Sequence, residues 1–376
     1  MRPTSCIIDS AAIAANVRTL SALVPSTPVC AVVKADGYGH GAVRAARAAL
    51  AGGATWLAVA LVEEAVELRE AGIAEPILLL SEPSPTAMEA VVANDLTATI
   101  YSSTGLASLG SAAAWASKPV EFHLGVDTGM SRVGLRPDEI DSFLAEVRKF
   151  PNLSVAAMWT HCPVADEPDN PFTEHQLESF GETVARIGEG IGDAMSVHVA
   201  NSAVAITGHA ATSGDPIMVR CGISIYGIDP DDALAGMAAL TPALTLRSEV
   251  SFVKTVEAGT SVGYGHQWTA EHETTIATVP IGYADGVRRD LGLRGGEVLI
   301  GGRRCPIVGV VTMDQLMVNV GVPGDGDVVS VGDEVVLIGQ QGDEEITAAE
   351  IANVLDTIPY EVVCAISGRV PRTDLS

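Results

Sequence analysis

Residues 29–42 read VCAVVKADGYGHGA: an apolar, β-branched run that ends on Lys34, then a loop with glycines at 37, 39 and 41. An Ala/Arg-rich stretch of helical spacing follows. A short continuous apolar run closed by glycines reads as a strand buried on both faces. Such a strand excludes an ammonium group, so Lys34 is either an ordinary solvent-facing strand end or part of a site. Strand, glycine loop and helix together form the first βα step of a repeating fold.

Working outward, the same step recurs. The apolar runs are VCAVVK, TWLAVAL, PILLLS, TATIYS, VEFHLGVD, LSVAAMWTH, MSVHVAN and PIMVRCG. Between them lie GAVRAARAALAGG, VEEAVELREAG, SPTAMEAVVAND, STGLASLGSAAAWAS, RPDEIDSFLAEVRKF and TEHQLESFGETVARIGEG, most with a 3.6-residue period, and a shorter NSAVAIT after the seventh run. Eight strands, each beside a helix, predict an α/β fold of the closed (β/α)8 TIM-like type, with a doubly wound open sheet as the alternative. After the linker-like GIDPDDALAGMAAL the texture changes to β-branched and polar residues alternating between glycine turns, which predicts a mostly antiparallel C-terminal β domain interrupted by one helix, TAAEIANVLDTI. The expected boundaries are 11–238 for the barrel, and 1–10 plus 239–376 for the β-rich domain.

The chain has 376 residues, 47% of them apolar, with 22 Lys+Arg against 47 Asp+Glu and a formal charge of −25. That balance, with no basic cluster, argues against nucleic acid and anionic membrane as partners. The uncharged stretch 96–117 is rich in Ser, Thr and Gly rather than in membrane-spanning residues, and Asp9 interrupts any signal-like core. Six scattered cysteines without a CxxC pair read as buried free thiols, and a cytoplasmic location is expected.

In a barrel, chemistry gathers where strands end. Lys34 closes the first run, Arg132 follows the fifth, His161 closes the sixth, Asn201 and Ser202 follow the seventh, and Arg220 and Gly222 close the eighth. The last two loops are where barrels commonly hold a phosphate, so a phosphorylated ligand facing a lysine is expected. A lysine that attacks a carbonyl must first lose a proton held with a free pKa of ~10.4. Desolvation and neighbouring positive charge achieve that. Tyr264, between glycines in SVGYGHQW, can approach a ligand closely or can be a packing anchor. His161 can likewise be a site residue or a core histidine. No HExxH, Cys/His pair or carboxylate cluster specifies a metal, and neither GxGxxG nor a Walker lysine occurs.

Five ordered motifs, AVVKADGYGHGA, DTGMSRVG, SVGYGHQW, IGYADG and VGVVTMDQLMVNV, resemble the alanine racemase family of fold-type III pyridoxal-phosphate enzymes, and the likeness runs from RPTSCIIDSAAIAANVRTL to IPYEVVCAISGRVPR. The resemblance implies a pyridoxal 5'-phosphate cofactor linked to Lys34, with Tyr264 as second catalytic base reaching the active site from the partner of a homodimer. It implies Arg220 facing the pyridine nitrogen and His161 beside the cofactor. Tyr38, Asn201, Ser202, Gly222, Ile223 and Tyr360 match phosphate-cradle positions, Arg132 and Met313 the substrate-carboxylate contacts, and Tyr283 and Arg289 the access channel. The activity implied is interconversion of L- and D-alanine by two bases, supplying D-alanine for peptidoglycan. Two positions depart from the pattern. Gly125 stands where the family often has a lysine, carbamylated and bonded to the equivalent of Arg132, which leaves Arg132 to be held by another group such as an anion or water. Val287 stands where an aromatic residue is common. A broad-specificity or serine-preferring racemase is the alternative within this chemistry; a non-catalytic pyridoxal-phosphate carrier and a fold-related decarboxylase are alternatives outside it.

Overall fold

The computed structural model describes residues 2–191, 196–208, 215–322 and 328–375. It divides into two compact units, one of Ala11–Gly37 with Ala42–Thr241, the other of Met1–Ser10, Tyr38–Gly41 and Pro242–Ser376.

The first unit is a ring of parallel strands. Val29–Val32, Trp56–Val59, Ile77–Leu79, Leu96–Ile100, Val120–Gly125, Leu153–Trp159 and Ser196–His198 pair in that order, each parallel to the next. The eighth strand comes in two pieces. Asp215–Pro216 pairs with the seventh strand, and Val219–Cys221 pairs back onto the first. That second pairing closes the barrel and rules out the open sheet. Pro216, which has no N–H to give a ladder, stands at the break. Helices Ala42–Ala51, Val62–Glu70, Met88–Ala93, Ser103–Trp115, Ile140–Val147, Phe172–Ile191 and Ser202–Thr207 fall on the helix-spaced segments.

Two buried polar groups show how the unit is held. Asn16, on the helix Ser10–Leu23, is 1% exposed and fully used: its Nδ2 donates to Ile225 O and Thr241 O at 3.2 and 2.8 Å, and its Oδ1 accepts from Thr241 N–H at 2.8 Å. Ser224, in the short 3-10 helix Ile223–Tyr226, is equally buried, but its Oγ has no partner among the described residues. A buried hydroxyl without a partner costs about 1–3 kcal/mol of desolvation. Ser224→Ala is therefore expected to stabilise the protein by about 1 kcal/mol, read as a higher urea midpoint. A lower midpoint would show that the hydroxyl has an unseen partner.

The second unit is mostly antiparallel. One sheet runs Arg303–Pro306, Glu297–Ile300, Glu334–Gln341, Leu244–Glu249, Ser5–Ile8 and Arg372–Asp374, with Glu344–Ile346 added to Glu334–Gln341. Ser5–Ile8 and Arg372–Asp374 pair in parallel. A second sheet joins Phe252–Val256, Thr274–Val279 and Leu316–Gly321, and a small hairpin pairs Ser261–Val262 with Trp268–Thr269. The sequence predicts one helix here, and the structure has Ala348–Leu355 followed by a second, Pro359–Cys364. Pro359 opens that second helix at a position where its missing N–H costs nothing, which overrides the β preference of Val362 and Val363. Of the six cysteines, five are buried and Cys364, at the end of this helix, is exposed.

Candidate active site

Lys34 lies two residues beyond the first barrel strand, and the peptide that follows it is unusual. Ala35, Asp36, Gly37 and Tyr38 have φ values of 53°, 52°, 60° and 51°, a run of left-handed residues of which three carry a Cβ. Each non-glycine residue in that region costs roughly 1–2 kcal/mol, so the turn persists only because its surroundings hold it.

Arg132 rides on a tight loop after the fifth strand. Asp127 Oδ1 accepts the N–H groups of Gly129 and Ser131 at 2.9 and 3.0 Å, and backbone bonds from Asp127 N–H to Leu135 O and from Leu135 N–H to Gly125 O close the base. Gly134 has φ 119°, and a Cβ there would come within 2.7 Å of Asp127 N, so the loop needs this glycine. The Arg132 guanidinium makes no hydrogen bond or ion pair among the described residues. Beside it is a small pocket walled by Tyr101, Gly125, Met130, Arg132, Trp159 and His161. A Cβ on Gly125 would sit 3.2 Å from both Thr99 Cγ2 and Tyr101 Cδ1, so these neighbours already crowd the position where a larger residue would stand.

Arg220 lies inside the eighth strand rather than at its end, and is 3% exposed. Its Nη1 donates to His198 Nδ1 at 2.7 Å and His198 O at 2.8 Å; its Nη2 donates to Thr160 O, Val199 O and His161 Nδ1 at 2.9, 3.1 and 3.4 Å. The guanidinium also lies 4.7 Å from the Trp159 ring centroid, a cation–π contact. No carboxylate meets it among the described residues. Burial pulls it down only to about 10, so it stays a cation. Its Nε–H donates to no described protein group.

The donor direction fixes the histidines. His198 Nδ1 must accept from Arg220, so its proton is on Nε2, and Nε2 donates to His123 Nδ1 at 2.9 Å. Burial first, then the Arg220 charge, pushes His123 down to about 4 and His198 well below the usual histidine range. His161 is pushed down to about 3 by burial and then by Arg220, Arg132 and Lys34, in that order. These three cations therefore bear on one neutral imidazole. Sequence reading missed His123, His198 and Trp159; the available signal was a single histidine inside each of two apolar strands, VEFHLG and SVH.

Asn201 caps the helix Ser202–Thr207, its Oδ1 accepting Val204 N–H at 3.0 Å, while its Nδ2 donates to Cys162 O at 3.1 Å, next to His161. Ser202 Oγ accepts Gly222 N–H at 2.9 Å, which brings together the starts of the short helices after the seventh and eighth strands. A hydroxyl and amide donors at two helix starts suit a phosphate. A buried cation with an unused N–H suits the ring nitrogen of a pyridine. The residues present thus fit a pyridoxal-phosphate-type group at this rim.

The other sequence-predicted residues belong to the second unit. Tyr38 is buried, with its ring centroid 6.1 Å from that of Tyr360. Gly39, at φ 80°, lies so close to the helix Pro359–Cys364 that a Cβ would come within 2.3 Å of Val363 O. Tyr283 and Met313 are neighbours, because Tyr283 N–H bonds to Thr312 O and Ala284 N–H to Met313 O at 2.9 and 3.0 Å. Arg289 O accepts Val311 N–H from the same segment. Tyr264 is 72% exposed on the turn between the two hairpin strands, flanked by Gly263 and Gly265 with φ of 76° and 74°.

Comparison with known proteins identifies the family. The family description "Alanine racemase, N-terminal domain" matches residues 8–230, and "Alanine racemase, C-terminal domain" matches residues 243–374. An alanine racemase of Symbiobacterium thermophilum is 47% identical over 99% of this chain and 97% of its own length, and one of Cutibacterium acnes is 44% identical over 98% and 97%. Among solved structures, alanine racemase from E. faecalis superposes with a TM-score of 0.89 at 41% identity, covering 100% of this chain and 98% of that one. A histidine racemase from Leuconostoc mesenteroides is more distant, at TM-score 0.86, 26% identity and coverage of 100% and 99%. By sequence over both halves and by fold over its whole length, the chain belongs to the alanine racemase family.

Proposed function

We propose that this protein interconverts L- and D-alanine with pyridoxal phosphate and two bases, Lys34 and Tyr264, acting as a cytoplasmic homodimer that supplies D-alanine for peptidoglycan. The observation that carries the reading is the meeting of two arginines with His161 at the strand ends of the barrel, Arg220 Nη2 lying 3.4 Å from His161 Nδ1 and Arg132 lining the same pocket as His161, with Lys34 just beyond the end of the first strand. In support of the dimer, Tyr264 is exposed and projects from a glycine-hinged turn, suited to entering a neighbouring subunit's site.

When bound, the cofactor supplies an electron-withdrawing ring that acidifies the α-hydrogen of the substrate amino acid. Ser202, Gly222 and Ile223, with Asn201 bracing the loop, would hold its phosphate, a role the family pattern also assigns to Tyr38 and Tyr360. Arg220, which keeps its own proton, would offer its unused N–H to the ring nitrogen as a hydrogen bond. That restraint weakens electron withdrawal, limits side reactions and places more of the work on well-positioned bases. Arg132 fixes the substrate carboxylate; Met313 and Tyr283 limit the space around its side chain. The Lys34 amine removes a proton from one face of the α-carbon, and the phenol of the partner subunit's Tyr264 delivers one to the other. Inversion follows because donor and acceptor stand on opposite sides.

The test is incubation of the purified protein with pyridoxal phosphate, borohydride reduction and peptide mapping, followed by a racemisation assay on L-alanine. Labelling at Lys34 and loss of optical activity are expected. Labelling elsewhere, or an inert product, would end the reading. The small pocket beside Arg132, which has Gly125 and no longer side chain at that position in its wall, favours a second reading in which the side-chain preference is broader. Turnover of L-serine and a long basic amino acid beside L-alanine separates the two, and a CO₂ measurement excludes decarboxylation.

A further inference from the structure

The left-handed turn after Lys34 needs something to hold it, and the restraints are visible. Gly37 N–H bonds to Val33 O at 2.9 Å, and Asp36 Oδ1 accepts Ala42 N–H at 2.8 Å, tying the turn to the strand before it and the helix after it. The third restraint comes from another βα step. Glu64, in the first turn of the helix Val62–Glu70, accepts Ala35 N–H on Oε1 at 2.6 Å. Its Oε2 accepts Ala60 and Leu61 N–H at 2.9 and 3.0 Å.

Capping its own helix would use only Oε2. The Oε1 bond reaches 29 residues back along the chain, to the peptide immediately after the lysine. One carboxylate therefore receives three backbone donors and links the loop after the second barrel strand to the end of the first. A carboxylate is an acceptor on both oxygens, so no N–H of the set is left facing another N–H. Glutamine cannot reproduce this: whichever way its amide is turned, its NH₂ faces either Ala35 N–H or the Ala60 and Leu61 pair.

We propose that Glu64 is a positioning residue which locks the left-handed turn and so fixes the direction of Lys34. The inference rests on the reading of Lys34 as the reacting lysine. It does not require Glu64 to touch substrate or cofactor.

The experiment compares full-length wild type with Glu64→Gln, Glu64→Ala, Ala35→Gly and the double variant Glu64→Ala/Ala35→Gly. Three quantities are read: amide hydrogen exchange across residues 33–39 with and without pyridoxal phosphate, the rate of borohydride-trappable labelling at Lys34, and kcat and KM for alanine. Both Glu64 variants should keep the far-ultraviolet spectrum of the wild type and exchange at 33–39 about tenfold faster or more, even without cofactor. Labelling and kcat should fall about 10- to 100-fold, with KM changed far less, as expected for a misplaced reacting group. Glycine at 35 adopts the left-handed conformation freely, so the double variant should regain part of the loss, about threefold or more. A residue that only capped its helix would show no such rescue.

Unchanged exchange at 33–39, or a loss of activity that follows melting temperature and is not relieved by Ala35→Gly, overturns the proposal. Failure of wild type itself to be labelled at Lys34 overturns the assignment of the lysine, and with it the purpose of the lock. That failure is distinguishable because it appears before any substitution is made.

Discussion

Tyr264→Phe is expected to lower kcat for racemisation by about 10²- to 10⁴-fold, the range by which a positioned acid or base accelerates a reaction, while the cofactor still binds and is still trapped at Lys34. The substitution removes one oxygen from an exposed ring whose hydroxyl makes no hydrogen bond among the described residues. No buried group is orphaned, and the two flanking glycines take up the left-handed conformations on either side of residue 264 whichever ring it carries. Stability should therefore change by less than about 0.5 kcal/mol. Deuterium exchange in heavy water makes the test sharper. With the phenol gone, Lys34 can still remove and return a proton on its own face. One enantiomer of alanine should wash its α-hydrogen into solvent without inverting, and the other should not. A variant that inverts both enantiomers at the wild-type rate would show that the second proton comes from elsewhere.

The barrel was legible because parallel strands buried on both faces are written as unbroken apolar runs, and each of the eight runs quoted from the sequence overlaps a barrel strand, the eighth run meeting both pieces of its strand. Its closure was not legible. Whether PIMVRCG pairs with the first strand, the seventh or both depends on hydrogen bonds between segments far apart in the chain, and here each piece pairs with a different neighbour. The same reason hides the grouping of Tyr38–Gly41 with the second unit, since its packing on Pro359–Cys364 joins residues more than 300 apart. For the site, residues at strand ends could be picked out because ends are marked by glycine and polarity. The partners of Arg220 could not: His123 and His198 are 75 positions apart, and each looks locally like one polar residue tolerated in a strand. Glu64 reads locally as an ordinary acidic residue of a helix first turn, where it favours the helix dipole. Only the fold brings its second oxygen to Ala35.

Stability is expected to fall on mild acidification because of the histidine ladder. His123 and His198 are 2% and 0% exposed, and both are held neutral well below the ordinary histidine value, by burial and then by the Arg220 charge. In the unfolded chain the same side chains take up a proton near pH 6.5. Below that pH the unfolded state binds more protons than the folded one, so the stability present above pH 6.5 is progressively lost as pH falls. From pH 7.5 to 5.0 each histidine should cost about 2 kcal/mol, and the pair about 4 kcal/mol. The window stops above the range where carboxylates titrate, near 4. Urea unfolding at several pH values measures the effect, and His123→Leu isolates it. That variant should be less stable at pH 7.5 by about 1–3 kcal/mol, because His198 Nε2–H loses its acceptor. Its stability should nevertheless fall less on acidification, by about 2 kcal/mol over the same window, because one proton-refusing site is gone. An unchanged acid slope in His123→Leu would mean that the ladder is not what refuses the proton. Geometry supplies the reason for that refusal. A proton on His198 Nδ1 would face Arg220 Nη1 across 2.7 Å, donor against donor, and the arginine could then keep its place only by giving up that bond.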